Sequence, residues 1–173
     1  MRITINAGHS EVDPGAIGPS GLQEALVNRQ VSIKVCALLN YFGHRTQLVQ
    51  SDSLQEICEL SNTWESDIFI SIHCNAAENP SAHGTETFYC EGSTKGSGLA
   101  QYIHCELVGL GLANRGTKNN PLYVTKHTDA PACLVEIAFI SNAEEEAMLS
   151  DVNMQYTFAE AICRGIQNFC KEA

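Results

Sequence analysis

The sequence predicts an α/β fold, in which one domain (residues 1–173) holds a mostly parallel, partly mixed central sheet of about six strands flanked by helices. A chain of 173 residues is long enough to bury one sizeable core and short for two ordinary domains. Segments with strand-like and helical spacing of apolar residues alternate along it. The run DIFISIHCN, residues 67–75, is almost continuously apolar, as in a strand buried on both faces.

The individual elements follow from the apolar spacing and from the Gly and Pro residues that punctuate the chain. A glycine-rich loop, residues 8–21, separates the first strand from the first long helix. The predicted strands are 2–7, 45–50, 67–75, 83–90, 121–125 and 132–140, and the predicted helices are 22–42, 53–65, 96–110, 142–150 and 155–171.

The composition excludes several classes of function. Twenty acidic residues against ten Lys and Arg give a formal net charge of −10, and the cations are scattered. A nucleic acid or an anionic membrane would therefore be repelled, and we expect neither as a partner. No apolar run approaches the length of a membrane span.

The eight cysteines show no C-x-x-C pair, and several lie inside apolar segments. They are more simply explained as buried free thiols than as a disulfide framework, since a chain of this size needs no covalent staples. Free thiols fit a reducing compartment.

Polar residues from distant parts of the chain are predicted to meet at one edge of the sheet. His9 follows the first strand, His73 lies near the end of the 67–75 strand, and Glu136 lies toward the end of the 132–140 strand. Glu24 opens the first long helix. Ligands of open α/β sheets gather beyond the carboxyl ends of the strands, so these four side chains are candidates for one site.

Two histidines and a carboxylate are a common ligand set for catalytic zinc, which keeps a fourth position for water. A further carboxylate can then serve as general base. From spacing alone the alternatives stay open: His9 can be a loop histidine without a ligand, and Glu24 can be an acid favoured by the helix dipole.

Four blocks of sequence carry a resemblance to a known family: GHSEVDPGAIGPSGLQE at 8–24, SIHCNA at 71–76, HGTETFY at 83–89, and the run from RGTKNNPLYV to SNAEEE at 115–146. In this order they resemble the zinc-dependent N-acetylmuramoyl-L-alanine amidases, which are peptidoglycan hydrolases of bacteria and phages. The resemblance covers almost the whole chain. It implies a single α/β domain that hydrolyses the amide between N-acetylmuramic acid and the L-alanine of the stem peptide.

The resemblance also implies roles for particular residues. His9, Glu24 and His73 match the family's zinc ligands, and Glu136 matches its catalytic carboxylate. Zn²⁺ is therefore the expected cofactor. The sequence departs from the family pattern at Ser10 and Glu11, where many relatives have two glycines, and at Ala138, where Gly is frequent.

Three other interpretations compete with a zinc amidase. An amidase-like domain without activity could bind muropeptide or a protein partner, although such a domain would be free to lose Glu136 or a ligand. A zinc carboxypeptidase would need a His-x-x-Glu pair after an early strand, and the third residue after His9 is Val12. A cysteine nucleophile at Cys74 would face away from His73, because neighbours on a strand point to opposite faces.

Several further positions have less specific interpretations. His127 and the cations Arg115 and Lys118 are possible substrate contacts, with solvated loop residues as the default. Asn75 is either a support for the site or a strand-end cap. The acidic run 144–146 is interpreted as the start of a helix.

The expected partner is peptidoglycan, and the expected assembly is a monomer. The sequence begins without a signal peptide. We therefore expect a protein that acts on the cell wall as an endolysin or autolysin, released after cytoplasmic synthesis, or a domain taken from a secreted protein.

Overall fold

The structure is a computed structural model that describes residues 1–172, and it confirms the α/β fold with one six-stranded sheet and six flanking helices. The elements in chain order are β1 Arg2–Ala7, α1 Glu24–Tyr41, β2 Arg45–Val49, α2 Leu54–Thr63, β3 Ile68–Asn75, β4 Thr85–Tyr89, α3 Thr94–Val108, β5 Asn114–Asn119, α4 Tyr123–His127, β6 Ala132–Phe139, α5 Ala143–Ser150 and α6 Val152–Glu172.

The sheet is mixed, as predicted, and its strand order is β2-β1-β3-β6-β4-β5. Strands β2, β1, β3 and β6 are parallel, β4 pairs with β6 in the antiparallel direction, and β5 is parallel to β4. The amino ends of β4 and β5 therefore lie at the same edge of the sheet as the carboxyl ends of β1, β3 and β6. This arrangement decides which residues reach the site described below.

The two faces of the sheet are covered unequally. The larger core packs helices α1, α3 and α6 against one face, where Ile5, Ile70 and Val135 are fully buried. The opposite face is covered by α2 and α4, which have 10 and 5 residues, around a small core with Phe69 at its centre. Alternation along β3 and β6 places His73 and Glu136 on this second, less covered face.

One predicted strand is wrong. Residues 121–125 were expected to form a strand, and Tyr, Val and Thr favour extended structure, but α4 occupies Tyr123–His127. The fifth strand is instead Asn114–Asn119, a polar edge strand with a single neighbour. The preference of Tyr123 and Val124 for strands is overridden because this short helix buries Val124 in the small core.

The cysteine and membrane expectations can also be compared with the structure. All eight cysteines are free thiols, and five of them are buried, which confirms the prediction. Among residues 1–172, no helix combines the length and the apolar character needed to cross a membrane.

Candidate active site

Three of the predicted site residues form a compact cluster at the carboxyl edge of the sheet. His9 follows β1, Glu24 is the first residue of α1, and His73 lies on β3. A nitrogen of each histidine and a carboxylate oxygen of Glu24 all lie within 4.8 Å of one another. The Nε2 atom of His9 is 3.4 Å from Oε2 of Glu24, and Nδ1 of His73 is 3.0 Å from Oε1 of Glu24.

The loop after β1 fixes the orientation of the His9 ring. Asp13 Oδ2 lies 3.0 Å from Nδ1 of His9, and Asp13 Oδ1 accepts a hydrogen bond from the Gly15 amide at 3.0 Å. His9 itself has a φ of +59°, a strained left-handed conformation for a residue with a side chain. Because Asp13 occupies Nδ1, the other nitrogen, Nε2, faces Glu24. The hydrogen bond from His9 also lowers the pKa of Asp13.

Two glycines are required by the space that the cluster takes. The His73 ring packs so closely on Gly8 that a Cβ there would lie 2.1 Å from the ring carbon Cε1. Gly15 has a φ of +68°, and a Cβ there would lie 2.6 Å from Oε2 of Glu24. These contacts explain why glycines 8 and 15 flank the His9 loop.

Glu24 is only 4% exposed, yet it is surrounded by hydrogen-bond donors. Its Oε2 accepts from the Ala16 amide at 2.9 Å, and its Oε1 accepts from the Cys74 amide at 3.1 Å and from Asn28 Nδ2 at 3.3 Å. Burial raises the pKa of Glu24, but the hydrogen bond and charge of His73, with help from Ala16 and His9, outweigh burial and lower it overall. Glu24 is therefore held as a carboxylate.

Glu136 lies on β6, in register opposite His73 on β3. Within the described chain its Oε2 atom is buried and has no hydrogen-bond partner. Burial, followed by the negative charges of Glu24 and Glu86, raises the pKa of Glu136 to about 8. A partly buried carboxyl group with one buried oxygen that has no partner, next to a cluster of potential metal ligands, is a strong candidate for proton transfer.

Glu86 is a member of the site that sequence reasoning missed. It is paired in register with Glu136 across β4 and β6, so His73, Glu136 and Glu86 form one row on three neighbouring strands. Asn75 Nδ2 donates to its Oε1 at 2.6 Å, which gives Asn75 the supporting role considered above. The alternation in HGTETFY placed Glu86 on a strand, but only the antiparallel direction of β4 brings it to this edge.

Two cations complete this end of the row. Arg115 Nε lies 3.2 Å from Oε2 of Glu86, and Lys118 Nζ forms an ion pair with the same oxygen. Burial raises the pKa of Glu86, and the hydrogen bonds from Lys118, Asn75 and Arg115 lower it below its usual value. Arg115 and Lys118 were interpreted by default as solvated loop residues; both lie on β5 and not in a loop, although their side chains are partly exposed.

The acidic run 144–146 begins a helix, as predicted, with Asn142 as the N-cap of α5. Glu145 and Glu146 are also buried and accept hydrogen bonds from backbone amides. Glu145 accepts from the amides of Gly84 at 2.7 Å and Phe139 at 2.6 Å, and Glu146 accepts from the Ser20 amide at 2.9 Å. These carboxylates hold the segments that precede β4 and α1 against α5.

The side chains of the remaining candidates are not part of the cluster. Cys74 is buried on the face opposite His73, and burial, with the charges of Glu24 and Glu136, raises its thiol pKa well above the usual value, which argues against a nucleophile. His127 ends α4, with its ring 4.3 Å from that of Tyr123.

A cavity of about 350 Å³ opens beside the cluster, on the face covered by α2 and α4. His9, His73 and Asp13 line one side, and Asp52, Leu54 and Tyr123 are among the residues of the other walls. A ligand in this cavity would contact both histidines of the cluster.

The donor set fits a zinc ion. Two atoms that each lie about 2.0–2.1 Å from a tetrahedral ion are about 3.4 Å apart, and His9 Nε2 and Glu24 Oε2 are separated by 3.4 Å. Two imidazoles and one carboxylate leave a position open for water or substrate, and the partner of His9 Nδ1 is the kind of carboxylate that commonly orients a ligating histidine.

Comparisons with known proteins agree with this geometry. A family model described as N-acetylmuramoyl-L-alanine amidase matches residues 3–168. The chain is 36% identical over 174 residues to N-acetylmuramoyl-L-alanine amidase LytC of Bacillus subtilis (strain 168). That alignment covers 96% of this chain but only 35% of LytC, so the chain spans about a third of that relative.

Solved structures show the same fold. N-acetylmuramoyl-L-alanine amidase AmiC2 of Nostoc punctiforme superposes with a TM-score of 0.94 at 29% identity, covering 99% of this chain and 97% of that one. The catalytic domain of CwlV, an N-acetylmuramoyl-L-alanine amidase from Bacillus (Paenibacillus) polymyxa var. colistinus, gives a TM-score of 0.92 at 30% identity, with 98% of both chains covered.

Proposed function

The chain belongs to the N-acetylmuramoyl-L-alanine amidase family, and we propose that it hydrolyses the amide bond between N-acetylmuramic acid and L-alanine in bacterial peptidoglycan with the help of zinc. The observation that carries this proposal is the His9–Glu24–His73 cluster together with the unpartnered Oε2 atom of Glu136 beside it. A metal cluster and a separate proton-transfer group are the two parts that metal-assisted amide hydrolysis requires.

His9, Glu24 and His73 are the proposed zinc ligands. Asp13 would keep the His9 ring in place through Nδ1, and the amides of Ala16 and Cys74 would do the same for Glu24. Bound Zn²⁺ would act as a Lewis acid toward the scissile carbonyl and lower the pKa of the attacking water.

Glu136 is the proposed general base and acid. Its carboxylate would accept a proton from the attacking water, and its carboxylic acid would then give that proton to the leaving nitrogen of L-alanine. Its raised pKa, about 8 in the metal-free protein, suits the second step, because the group can hold a proton near neutral pH. The positive charge of a bound zinc ion would lower this pKa and favour the carboxylate that the first step needs. Direct attack by water involves no covalent enzyme intermediate.

We propose that the domain acts on the cell wall as a monomer. Every group of the proposed site comes from one chain, so a second copy is not needed to complete it. Sedimentation of the active protein as a single copy would support this part of the proposal.

Digestion of purified peptidoglycan tests the function. The protein is incubated with sacculi after removal of metal by a chelator, and again after zinc is restored, and the soluble products are analysed by mass spectrometry. We expect peptides with a free N-terminal L-alanine only in the zinc-restored sample. Intact sacculi, with zinc bound to the protein, would contradict the proposal and favour a domain that only binds muropeptide.

A further inference from the structure

Two cations share a single carboxylate at the β5 end of the row. Arg115 and Lys118, the cation pair, both contact Oε2 of Glu86, while Asn75 occupies Oε1. Two positive charges facing one negative charge leave one positive charge in excess. This excess is notable in a chain with a net charge of −10.

The cation pair is held in place but remains open to solvent. The Arg115 guanidinium lies 4.8 Å from the centre of the Phe139 ring, and Lys118 Nζ lies 5.7 Å from the centre of the Phe88 ring. Even so, 38% of the Arg115 side chain and 42% of the Lys118 side chain are exposed. Arginine has five N–H donors and lysine three, more than Glu86 uses.

The position of the cation pair relative to Glu136 follows from strand order. Glu86 is the register partner of Glu136, and β5 lies beyond β4, so the pair lies on the side of Glu136 opposite His73. The cavity on the other side is lined by the acidic residues Asp13 and Asp52. Apart from the metal-ligand cluster itself, the charged side chains on the two sides therefore have opposite sign.

The two halves of the substrate also differ in charge. The lactyl carboxyl group of N-acetylmuramic acid is consumed in the scissile amide, so the sugar half is neutral. The stem peptide that begins with L-alanine carries free carboxylates. Electrostatic complementarity favours the peptide on the side of the cation pair and the sugar on the side of the acidic cavity.

We propose that Arg115 and Lys118 form a subsite for the carboxylate of the second stem-peptide residue, so that the peptide extends over β4 and β5 while the glycan lies along the cavity. The distances are compatible: two residues of extended peptide span about 7 Å, and β5 lies two strand spacings, about 9.5 Å, from β6. This inference rests on the proposed amidase function.

A pair of matched substrates tests the subsite. One muramoyl peptide carries D-glutamate with a free α-carboxylate as its second residue, and the other carries D-isoglutamine, in which that carboxylate is an amide. A partly exposed charge-assisted contact predicts that the wild-type protein cleaves the carboxylate form with a kcat/KM roughly three- to tenfold higher.

Substitutions of the cation pair test whether it causes the preference for the carboxylate substrate. In Lys118→Gln and in Arg115→Gln we expect the ratio of the two kcat/KM values to fall toward one, mainly through a higher KM for the carboxylate form. Arg164→Gln is the matched control, because Arg164 also pairs with a glutamate, Glu106, but on the opposite face, so it should keep the wild-type ratio. The ratio compares two substrates in one sample, so partial loss of folded protein cancels.

The outcomes separate this inference from the function it rests on. Cleavage of both substrates with a wild-type ratio of one, or an unchanged ratio in Lys118→Gln, would overturn the subsite and leave the amidase intact. If neither substrate is cleaved, the proposed function fails, and calorimetry then decides on the subsite. Tighter binding of the carboxylate form that is lost in Lys118→Gln would support it, and equal binding of both forms would overturn it.

Discussion

Glu24 is buried and Glu136 is partly buried, and both are carboxyl groups at the same edge of the sheet, but their surroundings differ. Glu24 accepts hydrogen bonds from two backbone amides and lies against two histidines, and its pKa is lowered. Glu136 has a buried oxygen without a partner, and its pKa is raised to about 8. The first environment suits a metal ligand, which must be ionised, and the second suits a group that exchanges protons.

The difference arises from where each residue lies in the fold. Glu24 begins α1, where the loop from Gly8 folds back and presents the Ala16 amide. Glu136 is inside β6, where the backbone amides are used by the sheet, and its neighbour across β4 is another carboxylate, Glu86. The same side chain therefore acquires two proposed roles because only one of the two positions offers donors.

The largest expected effect is on metal binding at the His9–Glu24–His73 cluster. His73→Ala removes a proposed ligand, so zinc affinity should fall by more than about 100-fold, beyond the loss typical of outer-shell changes. Competition with a chromophoric chelator measures the affinity. His83→Ala is the control, since the His83 ring hydrogen-bonds to the Ser81 carbonyl and is not part of the ligand cluster. Unchanged affinity in His73→Ala would show that the ligand set is wrong.

A smaller effect is expected from the group that orients His9. Asp13→Ala removes the acceptor for Nδ1, and zinc affinity should fall about 10- to 100-fold, with partial recovery in Asp13→Asn. Asp129→Ala, at an exposed site away from the cluster, should leave affinity at the wild-type value. Equal affinity in Asp13→Ala and wild type would mean that the ring needs no such partner.

A separate effect is expected on stability and concerns Glu136. The pKa of Glu136 is about 8 in the folded protein and near 4.5 when unfolded, so unfolding releases a proton between these pH values and stability falls as pH rises. Metal-free Glu136→Gln lacks this penalty. It should be more stable than metal-free wild type by about 2–5 kcal/mol at pH 9 and nearly equal to it at pH 5.

Urea unfolding of both proteins at the two pH values measures that difference. Glu24 contributes with the opposite sign, because its lowered pKa stabilises the fold above about pH 4.5 and this contribution is lost as pH falls. Since both proteins retain Glu24, its contribution cancels. A stability difference that does not change with pH would show that Glu136 does not hold a proton in the fold.

The sequence predicts the ligand cluster and Glu136 better than it predicts the end of the row at Glu86. His9, Glu24 and His73 are visible because a motif places each at the end of an element whose period is clear. Glu86 and its ion pairs with Arg115 and Lys118 were missed, because their position depends on β4 and β5 running against the other strands. Strand direction is set by long-range pairing, which local periodicity does not encode.

The exchange of a strand for a helix near residue 120 has a similar cause. Strand β5 lies at the sheet edge, carries Gly116 with a φ of +86°, and shows no buried stripe, so no apolar pattern marks it. Residues 121–125 have strand-like composition, but Leu122 and Val124 pack in the small core under α2 and α4. Packing against elements distant in the sequence therefore overrides the local preference of these residues for a strand.

The most direct test of the proposed division of roles is to measure zinc content and amidase turnover in the same preparation of Glu136→Gln. We expect zinc at the wild-type stoichiometry and turnover lowered by about 10²- to 10⁴-fold, because the ligands are intact and the proton-transfer group is lost. Glu106→Gln, on the opposite face, should retain both properties. Wild-type turnover in Glu136→Gln would contradict its role as general base, and loss of zinc would show that Glu136 belongs to the metal cluster instead.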